Sequence, residues 1–385
     1  MHRTVVLAGH HGAHAADVVR ALVEVAAEHG LTAARPAEDA WGTALLTSRH
    51  GALYLVDATA GPPDETRLLL EAADAVAFVV AAGGGVDSPT VDAWHASADE
   101  RLPRVVVLTG LDDPSADVME AVAIARRVFD EGIAAAALPL DDDDGRPAGL
   151  LDLLDGTITE HTITDRTASA SSRRPAEDAH LALTADAREA LVESILAASE
   201  DDALLDAHFS AHLHGDSLPP ERLFSELVAG VAAGWLYPAL PVDTSGRRIP
   251  AIGAEPLLTL LLAAAPAARG APAVVGPDGA PVLPLDPDPR GPLLAGVLLA
   301  ADGEALIRIW SGTLSDGTAV CADGVPVGTL EVRSLGGAPP DAGLVPGALG
   351  IARLPTSGLL PATELLPGAL LSHPAHPLVR PAASS

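Results

Sequence analysis

Lysine, asparagine and glutamine are absent from the 385-residue sequence, so all 23 basic residues are arginines. Without lysine, no ammonium group can bind the outer phosphates of a nucleotide, as the lysine of a phosphate-binding loop does. The arginines are outnumbered by 52 acidic residues, which gives a formal net charge of −29. This charge repels phosphate backbones, so the composition argues against a protein that binds free nucleic acid.

Cysteine and long apolar runs are also scarce. The single cysteine, Cys321, excludes an intramolecular disulfide framework and fits a cytoplasmic protein. The longest apolar stretch, residues 257–268, is interrupted by Pro266 and is shorter than the ~20 residues that span a bilayer. The N-terminus runs directly into a predicted strand, without the basic and apolar regions of a signal peptide. We therefore expect a cytoplasmic protein that has no membrane partner.

The first stretch of the chain has the order of parts of a phosphate-binding loop. An apolar run ends at Gly9, a short turn that contains Gly12 follows, and a helical pattern then begins. The phosphate motif is G-x-x-x-x-G-K-[ST], in which backbone N–H groups hold the anion and the Ser or Thr binds magnesium. Gly9 fits this motif, but His14, Ala15 and Ala16 stand where the second Gly, the Lys and the Ser or Thr belong. The stretch predicts the shape of a nucleotide loop without its side-chain chemistry.

Strand and helix patterns alternate over residues 1–135. Short apolar runs, suited to strands that are buried on both faces, lie at residues 5–8, 53–56, 76–80 and 105–108. Helical patterns lie between and after them at residues 17–28, 64–72, 88–98 and 117–130. This alternation predicts an α/β domain with a parallel sheet flanked by helices.

The second half of the chain changes class twice. Residues 136–250 interrupt the rhythm with an acidic turn at 141–144 and a Ser/Thr/Arg-rich segment at 162–179 that predicts a flexible loop. Helical patterns return at residues 185–199 and 219–234 and again from Glu255. Residues 293–366 then alternate short apolar runs with Asp-Gly pairs, which predicts a small all-β barrel.

The order of these parts resembles elongation factor G, and in particular the elongation factor G-like paralogues of high-GC bacteria. Three segments carry the resemblance besides the first loop: the strand that ends at Asp57, the segment 103–112 at the guanine-recognition strand, and the run Arg-Ile-Trp-Ser-Gly-Thr-Leu at residues 308–314. The last is similar to the signature of the second, barrel domain of translational GTPases. The family continues for three more domains, so the resemblance implies a chain truncated after the barrel.

The resemblance also implies the domain boundaries. We expect a GTPase-like domain at residues 1–267 with an inserted subdomain at about 136–240, a Pro/Gly linker at 268–292, a β-barrel at 293–371 that resembles elongation factor domain II, and a flexible tail at 372–385.

Measured against this family, the nucleotide site is degenerate. By motif position, the vestigial nucleotide-binding residues are Gly9, Gly12, His14, Ala15, Ala16, Asp57 and Asp112. Ala60 stands at the Gly of the family's Asp-x-x-Gly, where Gly61 fits only with a one-residue slip, and no residue is left to orient an attacking water. Most of switch I is missing, and Thr43 and Thr47, which lie in what remains, are interpreted as surface threonines. Thr244-Ser245 is a weak match for the loop near the guanine. We expect no catalytic residue and no metal site.

Histidines offer an alternative chemistry. His10, His11 and His14 could replace the missing lysine when protonated, or could bind a metal, although a loop that has drifted is the simpler interpretation. His208 and His212 have the i, i+4 spacing of zinc ligands on one helix face, and we interpret them as surface residues.

Three functions remain open from the sequence. The first is a degenerate translational GTPase, or pseudo-GTPase, with a binding or regulatory role around the ribosome rather than in translocation. The second is a GTP-binding GTPase with a non-standard, histidine-containing phosphate loop. The third is a non-functional, decaying paralogue. We expect no enzyme activity and no cofactor. A functional site would bind GTP or GDP with Mg²⁺ and would hydrolyse GTP.

Overall fold

The computed structural model describes residues 2–34, 41–163, 169–199, 201–214, 218–247, 250–266, 269–282, 284–336, 343–355 and 364–381. The chain divides into two compact units. Unit 1 comprises Met1–Val6, Gly30–Asp74 and Pro266–Ser385, and unit 2 comprises Leu7–His29 and Ala75–Ala265. The domain boundaries expected from the sequence stay a prediction.

The described residues form nineteen strands, as follows: β1 (His2–Gly9), β2 (Thr32–Ala34), β3 (Thr43–Ser48), β4 (Gly51–Asp57), β5 (Ala75–Ala81), β6 (Arg104–Thr109), β7 (Ile133–Ala135), β8 (Ala137–Asp141), β9 (Pro147–Asp152), β10 (Thr157–Ile163), β11 (Ser169–Pro175), β12 (Tyr237–Pro241), β13 (Leu294–Ala301), β14 (Glu304–Ser311), β15 (Ala319–Ala322), β16 (Val325–Thr329), β17 (Glu331–Ser334), β18 (Leu349–Arg353) and β19 (Leu370–Ser372).

The α-helices of the described residues are α1 (Ala15–Val25), α2 (Pro63–Glu71), α3 (Ser88–Asp99), α4 (Val118–Val128), α5 (Asp178–Leu183), α6 (Ala185–Ala198), α7 (Asp202–His214), α8 (Pro220–Ala233) and α9 (Ala254–Ala264). A short 3₁₀ helix, Ala26–His29, continues α1. None of these helices is long and apolar enough to cross a membrane.

Unit 2 is built on parallel strands in the order β1-β5-β6-β12-β7, of which β1 contributes only Leu7–Gly9. The pairs β5–β6, β6–β12 and β12–β7 are parallel, and every residue of β6 is buried. Complete burial explains why these strands have continuous apolar runs rather than alternating ones. Their carboxyl ends lie at one edge, where the loops that follow the strands meet. The predicted α/β class is confirmed.

Unit 2 also contains a four-stranded sheet in the order β11-β10-β9-β8 and the helices α5 to α8. The acidic run lies at the exposed turn between β8 and β9, where the Asp142 carboxylate accepts the backbone N–H of Asp144 and of Arg146. The prediction of a flexible loop at residues 162–179 is wrong, since β11 pairs with β10 there. Residues 164–168 of that segment lie outside the described residues.

The physical reason for this error is that β11 is an edge strand. It has no apolar alternation, because few of its side chains enter a core. The backbone ladder and cross-strand ion pairs stabilise it instead: Arg174 Nη2 lies 2.7 Å from Glu160 Oε1, and Arg173 pairs with Asp155. A strand with this composition is indistinguishable from a loop by periodicity.

Unit 1 contains two sheets. In the first, the order is β2-β3-β4-β1, and β3 pairs antiparallel with both β2 and β4. Because β2, β3 and β4 pair antiparallel, the strands expected to form a parallel sheet include antiparallel ones. In the second, seven antiparallel strands curl in the order β16-β15-β19-β13-β14-β18-β17. This half-barrel confirms the predicted β class of the second part.

The half-barrel contains one of the predicted Asp-Gly turns and the 308–314 motif, and its geometry explains the residues at both. Asp302 and Gly303, with φ of 51° and 78°, connect β13 to β14 in the conformation that hairpins favour. Trp310 of the motif packs in a core with Leu294 and Leu370. A Cβ at Gly296 would lie 2.2 Å from the Trp310 ring, so the opposite strand has room only for glycine.

Candidate nucleotide-binding site

The phosphate-loop stretch of unit 2 keeps the backbone that the sequence predicts. β1 ends at Gly9, where a Cβ would lie 2.3 Å from the carbonyl oxygen of Val79 on β5. The loop closes through a 3.0 Å bond from the Ala13 N–H to the His10 carbonyl. The Thr109 hydroxyl, at the end of β6, donates a 2.8 Å hydrogen bond to the Ala13 carbonyl. Contacts from two neighbouring strands therefore hold the loop in place.

His14 occupies a backbone conformation that suits glycine. It is the N-cap of α1, with φ of 63° and ψ of 31°, and its side chain makes no capping hydrogen bond. Its carbonyl accepts the N–H groups of Asp17 and Val18 as α1 begins. A left-handed conformation costs a residue with a side chain roughly 1–2 kcal/mol. The loop thus has the shape that the motif's second glycine allows, although the glycine is gone.

The side chains that follow carry the wrong chemistry for a phosphate. Ala15 is buried and Ala16 is exposed, so two methyl groups stand at the motif positions of the cation and the magnesium ligand. Asp17 adds a carboxylate to the first turn of α1. Arg20 Nη2 lies 2.9 Å from Asp17 Oδ1 and its Nη1 lies 3.5 Å from Glu24 Oε1. The hydrogen bond that Arg20 donates to the Asp17 carboxylate raises the pKa of Arg20, because it favours the charged guanidinium.

His10 is placed inside the loop. Its Nδ1 lies 3.0 Å from the carbonyl oxygen of His11, a hydrogen bond that requires the proton on Nδ1. The Nε2 atom is buried and has no hydrogen-bond partner among the described residues. A Cβ at Gly84 would lie 3.6 Å from this atom. In the neutral tautomer Nε2 is an acceptor, and an acceptor does not bind phosphate oxygens.

Asp112 and Thr244-Ser245 follow β6 and β12, at the carboxyl edge of the same sheet. Asp112 is exposed, whereas Asp113 beside it bonds the N–H and the hydroxyl of Ser115 at 2.8 and 2.7 Å, which lowers the pKa of Asp113. Ser245 donates its N–H to the buried Asp243 at 2.9 Å. Unit 2 therefore places the end of β1, the loop and first turn of α1 that follow it, and the loop after β6 at one edge of the sheet; these segments contain Gly9, Gly12, His14, Ala15, Ala16 and Asp112.

Asp57 belongs to unit 1, at the end of β4. Its Oδ1 accepts the N–H and the hydroxyl of Thr59 at 2.8 and 2.7 Å, so a local turn occupies the oxygen. Sequence reasoning missed Thr59, although an Asp followed two residues later by Thr is a signal for such a turn. The interpretation of Thr43 as a surface residue is wrong: it is 1% exposed, because β3 continues the sheet beside β4. The Thr47 hydroxyl donates to the Thr32 carbonyl at 3.2 Å.

The candidate zinc spacing lies on α7, where His208 and His212 are one turn apart. His208 is half-buried and its ring contacts Phe209. The side chains of His212 and His214 lie outside the described part of the chain. No group of three potential metal ligands occurs among the described residues.

No protein-family model matches the chain. A comparison with curated proteins finds relatives that are named as elongation factor G or as similar to it. The chain is 33% identical over 267 residues to proteins named elongation factor G-like protein in two strains of Mycobacterium tuberculosis. It is 28% identical over 268 residues to elongation factor G 2 of Treponema pallidum. The mycobacterial alignments cover 68% of this chain and 35% of the relative, and the treponemal one covers 66% and 37%. The chain therefore spans little more than a third of the length of the curated relatives it matches.

A crystal structure of a protein from Thermus thermophilus has the same fold. Its TM-score is 0.67 at 22% identity, over 97% of this chain and 54% of that chain. The α/β sheet with its loop edge and the curled antiparallel sheet thus occur together in a solved protein. By sequence, the chain belongs to the elongation factor G-like family.

Proposed function

We propose that this chain is a pseudo-GTPase: an elongation factor G-like protein that does not hydrolyse GTP and acts by binding a partner. The observation that carries the proposal is the phosphate loop, which keeps its backbone while Ala15, Ala16 and Asp17 occupy the start of α1. A nucleotide phosphate would meet two methyl groups and a carboxylate there. The arginine of this helix is already paired with acidic side chains.

Magnitudes favour weak binding or none. The start of a helix stabilises an anion by roughly 0.3–1 kcal/mol when no side chain helps. Micromolar affinity requires about 8 kcal/mol. Asp112 stands at the guanine-recognition position by motif, and a single charged hydrogen bond contributes roughly 1.5–3 kcal/mol. These terms together fall short of micromolar binding, so neither GTP, GDP nor Mg²⁺ is proposed as a cofactor.

Hydrolysis lacks its catalytic group as well. The segment Ala58 to Gly61, which follows Asp57, contains no His or Tyr, and its one hydroxyl, that of Thr59, already donates to Asp57 Oδ1 at 2.7 Å. Tyr54 lies within β4, where it is 5% exposed, and its side chain is unsuited to that task. No catalytic residue is therefore proposed.

The proposed partner is the ribosome, in the cytoplasm, because the family to which the chain belongs acts in translation. The formal charge of −29 opposes binding to bare ribosomal RNA. The contact is therefore proposed to use ribosomal proteins. Translocation is not part of this proposal.

A second candidate follows from His10, whose buried Nε2 has no partner among the described residues. Protonation would convert this atom into a donor that could bind a phosphate. The alternative function is then a GTP-binding protein whose loop uses histidine in place of lysine. It predicts guanine-selective nucleotide binding that depends on the imidazole of His10.

One titration separates the two. Nucleotide-free protein is titrated with fluorescent GDP and GTP analogues, with and without Mg²⁺. The pseudo-GTPase predicts no saturation up to millimolar nucleotide. Guanine-selective binding that is lost in His10→Ala, but not in the exposed control His373→Ala, would establish the second candidate. Co-sedimentation with ribosomes then tests the partner: no enrichment in the ribosomal pellet contradicts it.

A further inference from the structure

Helix α2 of unit 1 follows directly after the Asp57 turn. In GTPases the segments around the γ-phosphate become ordered when it binds and are released on hydrolysis. α2 begins at Pro63, only a few residues beyond Thr59, and the Thr66 hydroxyl donates to the Ala58 carbonyl at 3.3 Å. Any response of this segment to a nucleotide would therefore have to move α2.

The exit of α2 is fixed by a buried charge cluster. Arg308 on β14 is 1% exposed, and its Nη2 lies 2.8 Å from Oδ1 of Asp74, which is 0% exposed. Its Nη1 donates to the carbonyl of Ala72. The Asp74 carboxylate also accepts the backbone N–H of Thr4 at 2.7 Å and of Arg269 at 2.9 Å. One carboxylate thus joins β1, the end of α2, the segment before β13, and β14.

The body of α2 contacts the same half-barrel. Glu71 Oε2 lies 2.9 Å from Arg380 Nη1, and the Nε of Arg380 donates to the carbonyl of Gly368. A Cβ at Gly368 would lie 3.6 Å from the Leu68 side chain, so this part of the helix packs closely on the turn before β19. α2 also packs against β13. A helix of nine residues is therefore held by four separate parts of the half-barrel.

We propose that α2 is locked onto the half-barrel by the Asp74–Arg308 and Glu71–Arg380 pairs, so that unit 1 has one conformation whether or not nucleotide is present. The proposal rests on the proposed pseudo-GTPase function, because it describes what the partner meets: a fixed surface rather than a switch. Moving α2 would separate Asp74 from Arg308 and leave two charges buried away from water, which is far less favourable than their pairing. The Nε of Arg308 already has no partner among the described residues.

Hydrogen–deuterium exchange of the full chain tests the lock. The peptide amides of α2 are compared with those of β13 and β14, in protein without nucleotide and with millimolar GDP or GTP. Glu71→Gln and Arg380→Ala each remove one partner of the half-exposed pair without disturbing the buried one. The matched control is Arg353→Ala, which removes the exposed Arg353–Glu331 pair from β18 of the same sheet.

The lock predicts that α2 exchanges as slowly as β13 and β14 and that nucleotide leaves its exchange unchanged. Glu71→Gln and Arg380→Ala are expected to speed exchange in α2 by about two- to fivefold, the range for a partly exposed ion pair, whereas Arg353→Ala leaves it unchanged. Rapid exchange of α2 in the unaltered chain overturns the lock. So does a nucleotide-dependent change, or an equal effect of Arg353→Ala.

The two proposals fail differently. Nucleotide that binds in the fluorescence titration while the exchange of α2 stays constant contradicts the pseudo-GTPase and supports the lock. Absence of nucleotide binding together with rapid exchange of α2 contradicts the lock and leaves the pseudo-GTPase standing.

Discussion

Replacing Asp74 with alanine is expected to be among the most destabilising single changes in unit 1. Asp74 is fully buried and bonds one guanidinium and two backbone N–H groups. Asp74→Ala leaves the Arg308 charge buried without its partner, for which measured losses are about 3–5 kcal/mol. The orphaned N–H groups of Thr4 and Arg269 add to this loss. We expect the free energy of unfolding to fall by about 5 kcal/mol.

Because a loss of this size can leave the single variant partly unfolded, a double variant completes the cycle. Asp74→Ala with Arg308→Met removes both charges and leaves an apolar side chain of similar length on β14. Because the unpaired charge is then gone, at least ~2 kcal/mol of the loss should be recovered. The control is Glu331→Ala, which removes an exposed ion pair and should change stability by at most ~1 kcal/mol.

Urea unfolding followed by circular dichroism and tryptophan fluorescence measures all four proteins. Trp310, buried in the half-barrel, reports on unit 1. The reasoning is refuted if Asp74→Ala is as mild as Glu331→Ala, or if the double variant is as unstable as the single one. Either result would mean that water or backbone groups satisfy Arg308 without Asp74.

Three further changes test other parts of the chain. His14→Gly should raise the free energy of unfolding by about 1 kcal/mol in urea titrations, because glycine relieves the positive φ; no gain would mean that the loop is not left-handed there. Burial raises the pKa of Tyr54 to about 12 and also raises that of Tyr237. Protonated phenols therefore contribute stability below about pH 10 that is lost as the pH rises toward 12, and tyrosinate absorbance near pH 10 should appear only after unfolding. Tyr237→Phe removes the hydroxyl that accepts a hydrogen bond from the buried Arg104. Thermal unfolding should show that the free energy of unfolding falls by about 1–3 kcal/mol in this variant, and that adding Arg104→Met to it restores most of the loss.

The phosphate loop could be predicted from the sequence because its parts are contiguous. A buried strand, a glycine that neighbouring backbone requires, and a helix start leave a local signature. The missing cation could also be read directly, since the sequence has no lysine. What could not be read was that His14 would keep the glycine conformation, because a positive φ at a histidine is decided by the contacts around it. Those contacts come from β6, through Thr109, far along the chain.

The buried ion pair of unit 1 could not be predicted from the sequence either, because its partners are distant along the chain. Asp74 and Arg308 are 234 residues apart, and no periodic pattern links them. Arg308 was recognised as part of a motif, but an arginine on a predicted strand gave no indication that its charge is buried. The sequence analysis does not predict β3, because it assigns these residues to what remains of switch I. Its burial comes from pairing with β2 and β4, which sequence spacing alone does not reveal.

The groups that fold the phosphate loop are different from the groups that would bind a phosphate. Gly9 is needed because of the Val79 carbonyl, and Thr109 holds the loop through a backbone oxygen. The motif's lysine and hydroxyl contribute to neither contact, so replacing them leaves the loop intact. Alanine is also the residue that best favours helix, so Ala15 and Ala16 stabilise the first turn of α1. Loss of ligand binding and retention of fold are therefore compatible at this loop, and the fold alone is no argument for a bound nucleotide.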